Sequence, residues 1–595
     1  MSPSTPRITL LLPVLLIGSL VAAAEEPAEG QKLHQIFDDE WEWGLKDNPI
    51  MATFVGDPRY ADQVPDMSLE AIERRHRHAR DVKSRLETLD RDALSADDKL
   101  NYNLFLLNTE WDIEGQRFPD ELMPVNQMGG LHSQTATVAR MTPKFTVKQV
   151  DGLLTRLSQI PTTVDQMIVR MRKGLEKGLT PPRITLREVA SQLEVHITDD
   201  PTASPIFAAA VGDLPSSIPA EEQERLRARA EEVVAEAIVP AMRALHTFWV
   251  EEYYPQTREE IGLAALPDGL DWYNYNIKVE TTTDLTAEEI HEIGLREVER
   301  IRAEMETVKA GTGFEGSLTE FFEFLRTDPR FFYTEPQDLL TGYRDIAKRI
   351  DPELVKLFGR LPRLPYGVTP VPEHIEKSQT TAYYQPGSLE AGRPGYFYAN
   401  TYDLKSRPKW EMEALTVHEA VPGHHFQIAL AQELESIPRF RRFGGYTAFV
   451  EGWGLYSESL GEDLGLYQDP YSKFGQLTYE MWRAIRLVVD TGLHAKGWTR
   501  QQAIDFFLEN AGKAEHDIVV EVDRYIVWPG QALAYKIGEL KFQELRRYAQ
   551  GQLGDSFDVR DFHDTLLGAG AIPLSVLETR MRAWVDEQKA SPPAQ

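Results

Sequence analysis

Residues 416–427 read T-V-H-E-A-V-P-G-H-H-F-Q and gather His418, Glu419, His424 and His425 into eight positions. Three imidazoles beside a carboxylate have the composition of a metal site. Neutral imidazoles donate lone pairs to a zinc-like cation, and an adjacent carboxylate takes a proton from water held there. In the helical form of such sites, H-E-x-x-H, the two histidines sit four residues apart on one face. Here the residue four after His418 is Pro422. In a regular helix His424 lies about 240° round the axis from His418, while His425 returns to the same face roughly 10 Å further along. Pro422 lacks an N–H and clashes with the preceding turn, and Gly423 tolerates dihedrals closed to other residues. Looping out two residues around Val421-Pro422-Gly423 brings His424 to an effective i+4 position; His425 needs three. The expected ligands are His418 and His424, with His425 directed to substrate, to a supporting contact or to the core.

A catalytic zinc site wants a third protein ligand and an open position. The next helical stretch, F-V-E-G-W-G-L-Y-S-E, offers Glu451 as that ligand and Glu458, two turns on, as its support or its alternative. Gly452 and Gly454 leave room for close helix approach. Without a metal, the same residues would form a hydrogen-bonded cluster on a buried helix. Two His and one Glu favour zinc over manganese or cobalt.

The elements that must position these groups are mostly helical. Helical spacing runs through Leu33–Trp43, Leu69–Leu89, Ser95–Trp111, Val147–Leu175 and Arg225–Tyr254, with a kink expected at Pro240. A Gly/Pro-rich connector, Gly262–Tyr275, divides an N-terminal helical lobe (about 25–265) from a catalytic lobe (about 266–595) within one large domain. Gly311–Gly316 matches G-x-G-x-x-G by letter, but it joins two helices, so a dinucleotide fingerprint is rejected. Gln379–Gln385 and Gly395–Tyr402 read as a small β-hairpin just before the histidine-rich helix. Helices follow over Trp410–Leu434, Tyr446–Leu460, Tyr471–Ala495, Thr499–Asn510, Ile518–Ile526 and Gln531–Gln550. The fold class is mainly α with a minor sheet.

Composition narrows the chemistry. The 595 residues carry a net charge of −29, which repels phosphate backbones and excludes nucleic acid as a natural partner. There is no cysteine, which excludes disulfides, thiol catalysis, Cys-ligated zinc and a lipid-modified N-terminal Cys. No G-x-S-x-G elbow occurs, so a serine hydrolase is not competitive. Arg7, the apolar run Ile8–Val21 and Ala22-Ala23-Ala24 read as a cleaved signal peptide over residues 1–24. The expectation is a bacterial periplasmic or secreted protein with no stable membrane span after signal removal, since no later apolar run approaches spanning length.

H-E-A-V-P-G-H-H-F-Q, V-E-G-W-G-L-Y-S-E, W-P-G-Q-A-L-A-Y-K-I-G and A-Y-Y-Q-P-G-S…R-P-G-Y-F-Y-A-N-T together resemble a bacterial domain-of-unknown-function family with an H-E-x-x-P-G-H signature. Its members are regarded as zinc-metallopeptidase-like proteins of the Glu-zincin type. The resemblance covers most of the mature chain and implies a zincin-like helical fold with a cleft, a bound Zn2+ and a peptide substrate. It also favours His424 over His425, because the residue after the second His varies in that pattern. Under this reading Glu419 moves the proton of water and the zinc polarises the scissile carbonyl. Donors for the developing oxyanion are Tyr525 and Tyr535 first, because related helical zincins use phenols from a late segment, then His494, Arg483 or Arg486. Arg483, Arg486 and Asp490 share helical spacing and read equally well as an ion-paired network. The strand Gly395–Tyr402 would take an extended peptide by strand addition, with Tyr384 and Asn400 nearby. The alternatives are a non-catalytic periplasmic peptide-binding or chaperone-like protein, or a zinc hydrolase of a non-peptide amide.

Overall fold

The structure is a computed structural model that describes residues 28–373 and 375–590; the expected signal peptide lies outside them. Helices dominate, and several start where side-chain caps satisfy the first free N–H groups. Ser95 caps Ala96–Gly115, and capping boxes open Ala287–Gly311 (Thr286/Glu289), Leu318–Thr327 (Ser317/Glu320) and Arg500–Asn510 (Thr499/Gln502). The G-x-G-x-x-G stretch is the turn between the second and third of these.

The apolar core divides along the chain. Residues 125–253 enclose a core of their own, whereas Leu104, Trp111, Phe118 and Leu122 join the core of the C-terminal half. The N-terminal lobe with a separate core is thus shorter than the sequence reading, and residues 28–122 clamp onto the other half: Ser388 Oγ donates to Val55 O, and Arg441 Nη1 to Asn101 Oδ1. A π-helical turn at Val234–Ile238 stands just before Pro240, where the sequence predicts a kink. The continuous helix Ala220–Gln256 is long and apolar enough to cross a bilayer by length and composition, which corrects the expectation of no such run. Half of its most apolar window is buried, and Leu226, Ile238, Met242 and Leu245 belong to the lobe core.

Three strands form the sheet: β1 (Tyr366–Pro370), β2 (Ala382–Gln385) and β3 (Gly395–Ala399), in the order β1-β3-β2. β2 and β3 make the expected antiparallel pair (Ala382↔Ala399 to Gln385↔Tyr396), and β1 adds a parallel neighbour (Tyr366↔Gly395 to Pro370↔Ala399). Both edges of β3 are therefore occupied. Strand addition to Gly395–Tyr402 is ruled out, and the outer edges of the sheet belong to β1 and β2.

The helices that carry chemistry follow: α1 (Met412–Glu419), α2 (His424–Gln432), α3 (Thr447–Ser459), α4 (Pro470–Ala495), α5 (Glu515–Val527) and α6 (Ala534–Leu553). α4 is almost wholly buried and packs along Ala287–Gly311. α3 lies against α6 so closely that a Cβ on Gly452 would stand 2.5 Å from Gly538 Cα. Two glycines meeting there let α3 seat its carboxylates beneath α1.

Candidate metal centre and its cavity

The helix expected over 410–434 breaks where Pro422 requires it. α1 ends at Glu419 and α2 restarts at His424. Across the break, Gly423 N–H donates to Val417 O at 2.9 Å and Phe426 N–H to Ala420 O at 3.4 Å. Both bonds run i→i−6, two residues longer than the helical i→i−4, so two residues are looped out and His424 stands where an i+4 residue would. Trp453 Nε1 pins the loop by donating to Pro422 O at 2.7 Å. A Cβ at Gly423 would fall 2.0 Å from His418 O, so only glycine fits.

The His418 and His424 rings meet edge to face at 4.7 Å between centroids. Glu451 Oε2 lies 3.2 Å from His424 Nε2 and 3.7 Å from His418 Nε2. His418 Nδ1 donates to Glu458 Oε1 at 2.8 Å, which turns the Nε2 edge toward Glu451. Burial alone would lower the His418 pKa, but Glu451 and Glu458 outweigh it and push the ring up to about 9. Burial would likewise raise Glu451, yet His424 and His418 hold it well below the ordinary carboxylate range. The cluster is a buried point of negative potential that stabilises a positive charge.

The donor set fits a divalent metal. One atom from each of His418, His424 and Glu451 falls within 4.8 Å of the others. Ligand atoms on a tetrahedron of ~2 Å bonds stand roughly 3.3 Å apart, close to the two measured separations. Glu451 Oε2 is buried with no hydrogen bond in proper geometry, an acceptor left open. Glu419, 7% exposed, faces the same cavity of about 390 Å³.

Other residues singled out by sequence divide sharply. Tyr535 lines the cavity, its ring nearly parallel to His418 at 6.2 Å, and its oxygen accepts from Arg524 Nη2 at 3.0 Å. Arg483 and Tyr384 also line it. His425 points away: its Nε2 donates to Leu364 O at 3.0 Å, so its Nδ1 accepts from Tyr384 O–H at 2.9 Å. Burial lowers its pKa to about 4, and it is structural rather than substrate-facing. Tyr525 does not reach the cavity; its oxygen accepts from Trp482 Nε1 and Arg486 Nε at 3.0 and 2.9 Å. Neither does His494, which accepts from Leu263 N–H and donates to Tyr525 O, tying two segments together. Asp490 accepts from Tyr273 O–H and Gly530 N–H, fixing the turn before Gln531 rather than supporting the metal ligands. Asn400 is 1% exposed and donates to the carbonyls of Glu376, Gln379 and Thr380, so it shapes the cavity's rim instead of binding in it.

Sequence reading missed Arg524, Glu521 and the rim residues Gln379–Ala382, all of which line the cavity. Met128 also reaches it from the N-terminal half, on a loop anchored by Gln127 Nε2 donating to Asp523 O at 3.0 Å. A signal for the first two was present: Glu521 and Arg524 interrupt the apolar run I-V-V-E-V-D-R-Y-I at helical spacing.

Comparison with known proteins places the chain in context. No curated protein matches it. A candidate lipoprotein from Colwellia psychrerythraea, known from its crystal structure, has a similar fold with a TM-score of 0.89 and 29% identity over 94% of this chain and 100% of that one. A candidate lipoprotein of unknown function from Shewanella oneidensis shares the fold at a TM-score of 0.66 and 16% identity, over 93% of this chain and 100% of that one. The family model described as "Bacterial protein of unknown function (DUF885)" matches residues 49–581, and the chain belongs to that family.

Proposed function

We propose that this protein is an exported, zinc-dependent hydrolase of peptide bonds. The observation that carries the reading is the meeting of His418, His424 and Glu451 beside Glu419 at a cavity wall. His418, His424 and Glu451 would hold the metal, and Glu458 fixes the ring orientation of His418. A bound divalent cation supplies Lewis acidity. Glu419 takes a proton from the attacking water and returns it to the departing amine. Tyr535 is the phenol placed to donate to a developing oxyanion, since its oxygen already accepts from Arg524 and its own hydrogen is left for the cavity. The rim 379–384 and the free edge of β2 offer main-chain pairing to an extended peptide.

Export rests on the leader-like residues 1–24 and on the two structural relatives described as lipoproteins.

Metal analysis of the purified protein, followed by peptide cleavage with wild type and Glu419→Gln, tests the reading. Stoichiometric zinc with cleavage lost in Glu419→Gln is expected. Zinc retained with no peptide cleaved by wild type would instead favour a peptide-binding protein.

A further inference from the structure

Beside the metal cluster the cavity is lined by Arg483 and Arg486 of α4 and Arg524 of α5. They are 5%, 3% and 8% exposed. Their guanidinium carbons lie 5.8, 4.3 and 5.9 Å from the centre of the Tyr535 ring, the ring that stands 6.2 Å from His418. Buried guanidiniums are normally paired and hydrogen-bonded. These are not saturated. Glu521 serves Arg486 and Arg524 at 3.0 and 3.4 Å. Arg483 has the Tyr479 carbonyl at 3.4 Å and an ion pair at 3.8 Å with a Glu458 oxygen that already accepts from His418. Arg483 Nε, Arg486 Nη1 and Arg524 Nε are buried with no hydrogen-bond partner. A chain of net charge −29 has gathered three buried guanidiniums that share two carboxylates in one cavity.

We infer that this array receives the C-terminal carboxylate of a peptide, which makes the protein a carboxypeptidase releasing one or two residues. The inference rests on the hydrolase reading above and adds the end of the substrate that the site recognises. Guanidinium forks match a carboxylate bidentately. An extended residue spans about 3.5 Å, so a carboxylate among the arginines puts a bond one or two residues upstream beside His418 and Glu419. The upstream main chain then runs along the free edge of β2, next to Thr381, which lines the cavity and whose buried Oγ1 has no hydrogen-bond partner. Water adds across the amide: the carbonyl carbon gains the hydroxyl, and the departing amine gains the proton. An internal peptide segment would leave the array facing uncharged amides.

The test uses zinc-loaded Glu419→Gln protein titrated calorimetrically with acetyl-Ala-Ala-Ala-Phe as the free acid and as the C-terminal amide. The free acid is expected to bind about 10–100-fold tighter. In Glu419→Gln/Arg483→Gln the preference should collapse, and in Glu419→Gln/Arg483→Lys part of it should return. Arg524→Gln stands in if Arg483→Gln does not fold. Equal binding of acid and amide overturns the inference. Mass spectrometry of wild-type digests should show loss of one or two C-terminal residues from the acid. Internal cleavage would overturn the carboxypeptidase assignment while leaving the hydrolase reading intact. Acid-selective binding without any cleavage would do the reverse, keeping the carboxylate site and sinking the hydrolase.

Discussion

One wall of the cavity is made of His418, Glu419, His424 and Glu451; the other of Arg483, Arg486, Glu521 and Arg524. Both are deeply buried, yet they polarise in opposite senses. On the first, carboxylates hold an imidazole up at about 9. On the second, burial would raise Glu521, but Arg486 and Arg524 hold it down at about 2. Burial sets how strongly charges act; the partners set the sign. The first wall collects lone pairs around a point, as a cation needs, and the second collects N–H donors, as an anion needs.

The largest separation of the two walls should come from Glu419→Gln. Peptide hydrolysis should fall about 10²–10⁴-fold in kcat/KM, with zinc content unchanged; activity near wild type would remove Glu419 as the base. Next, Glu521→Gln strips the arginines of their shared carboxylate and should lower stability by about 3 kcal/mol at neutral pH, read by denaturant melts. Because the Glu521 pKa is depressed in the folded state, its stabilisation is complete above the unfolded value near 4.5 and is lost as pH falls toward about 2. The variant should therefore show a flatter acid limb, and an unchanged limb would refute the pairing. Glu458→Gln should weaken zinc binding about 10–100-fold, measured by chelator competition, without loss of acid-over-amide selectivity. The smallest effect belongs to His425→Asn, about 1 kcal/mol of stability from its lost hydrogen bonds. Its zinc stoichiometry should stay at wild-type level, and a loss of metal would make His425 a ligand.

The two walls also differ in how far sequence alone reaches them. The first lies within 418–458, where helical spacing and the chemistry of Pro and Gly are local rules, so the meeting of His418, His424 and Glu451 and the looped-out pair were both legible. The second is assembled by α5 docking on α4, and no spacing rule relates Arg483 to Arg524. The same gap explains Tyr525 and Tyr535. Both are late tyrosines on helices, and only packing turns one to the cavity and the other to Trp482 and Arg486. His494 and Asp490 share that fate, since a polar residue on a buried helix looks alike whether it ties segments together or meets a ligand. In the sheet, the β2–β3 pairing followed from the intervening turns, whereas β1 joins by a long-range parallel contact. That strand occupies the edge of β3 which strand addition would have needed.

The two bonds that span the break between α1 and α2 number the site by hydrogen bonds rather than by residues. Excising Val421 and Pro422 from the chain leaves His418-Glu419-Ala420-Gly423-His424, which spells H-E-x-x-H in full. The loop is a phase insertion: it adds two residues to the text while leaving the register of the two histidines untouched. Its extra length gives Trp453 a carbonyl to hold, so α2 is fastened to the helix carrying Glu451 by a contact that an uninterrupted helix could not offer. Chains related by such an excision or insertion would keep one coordination geometry under two different signatures, and a pattern defined by letter spacing alone would file them apart.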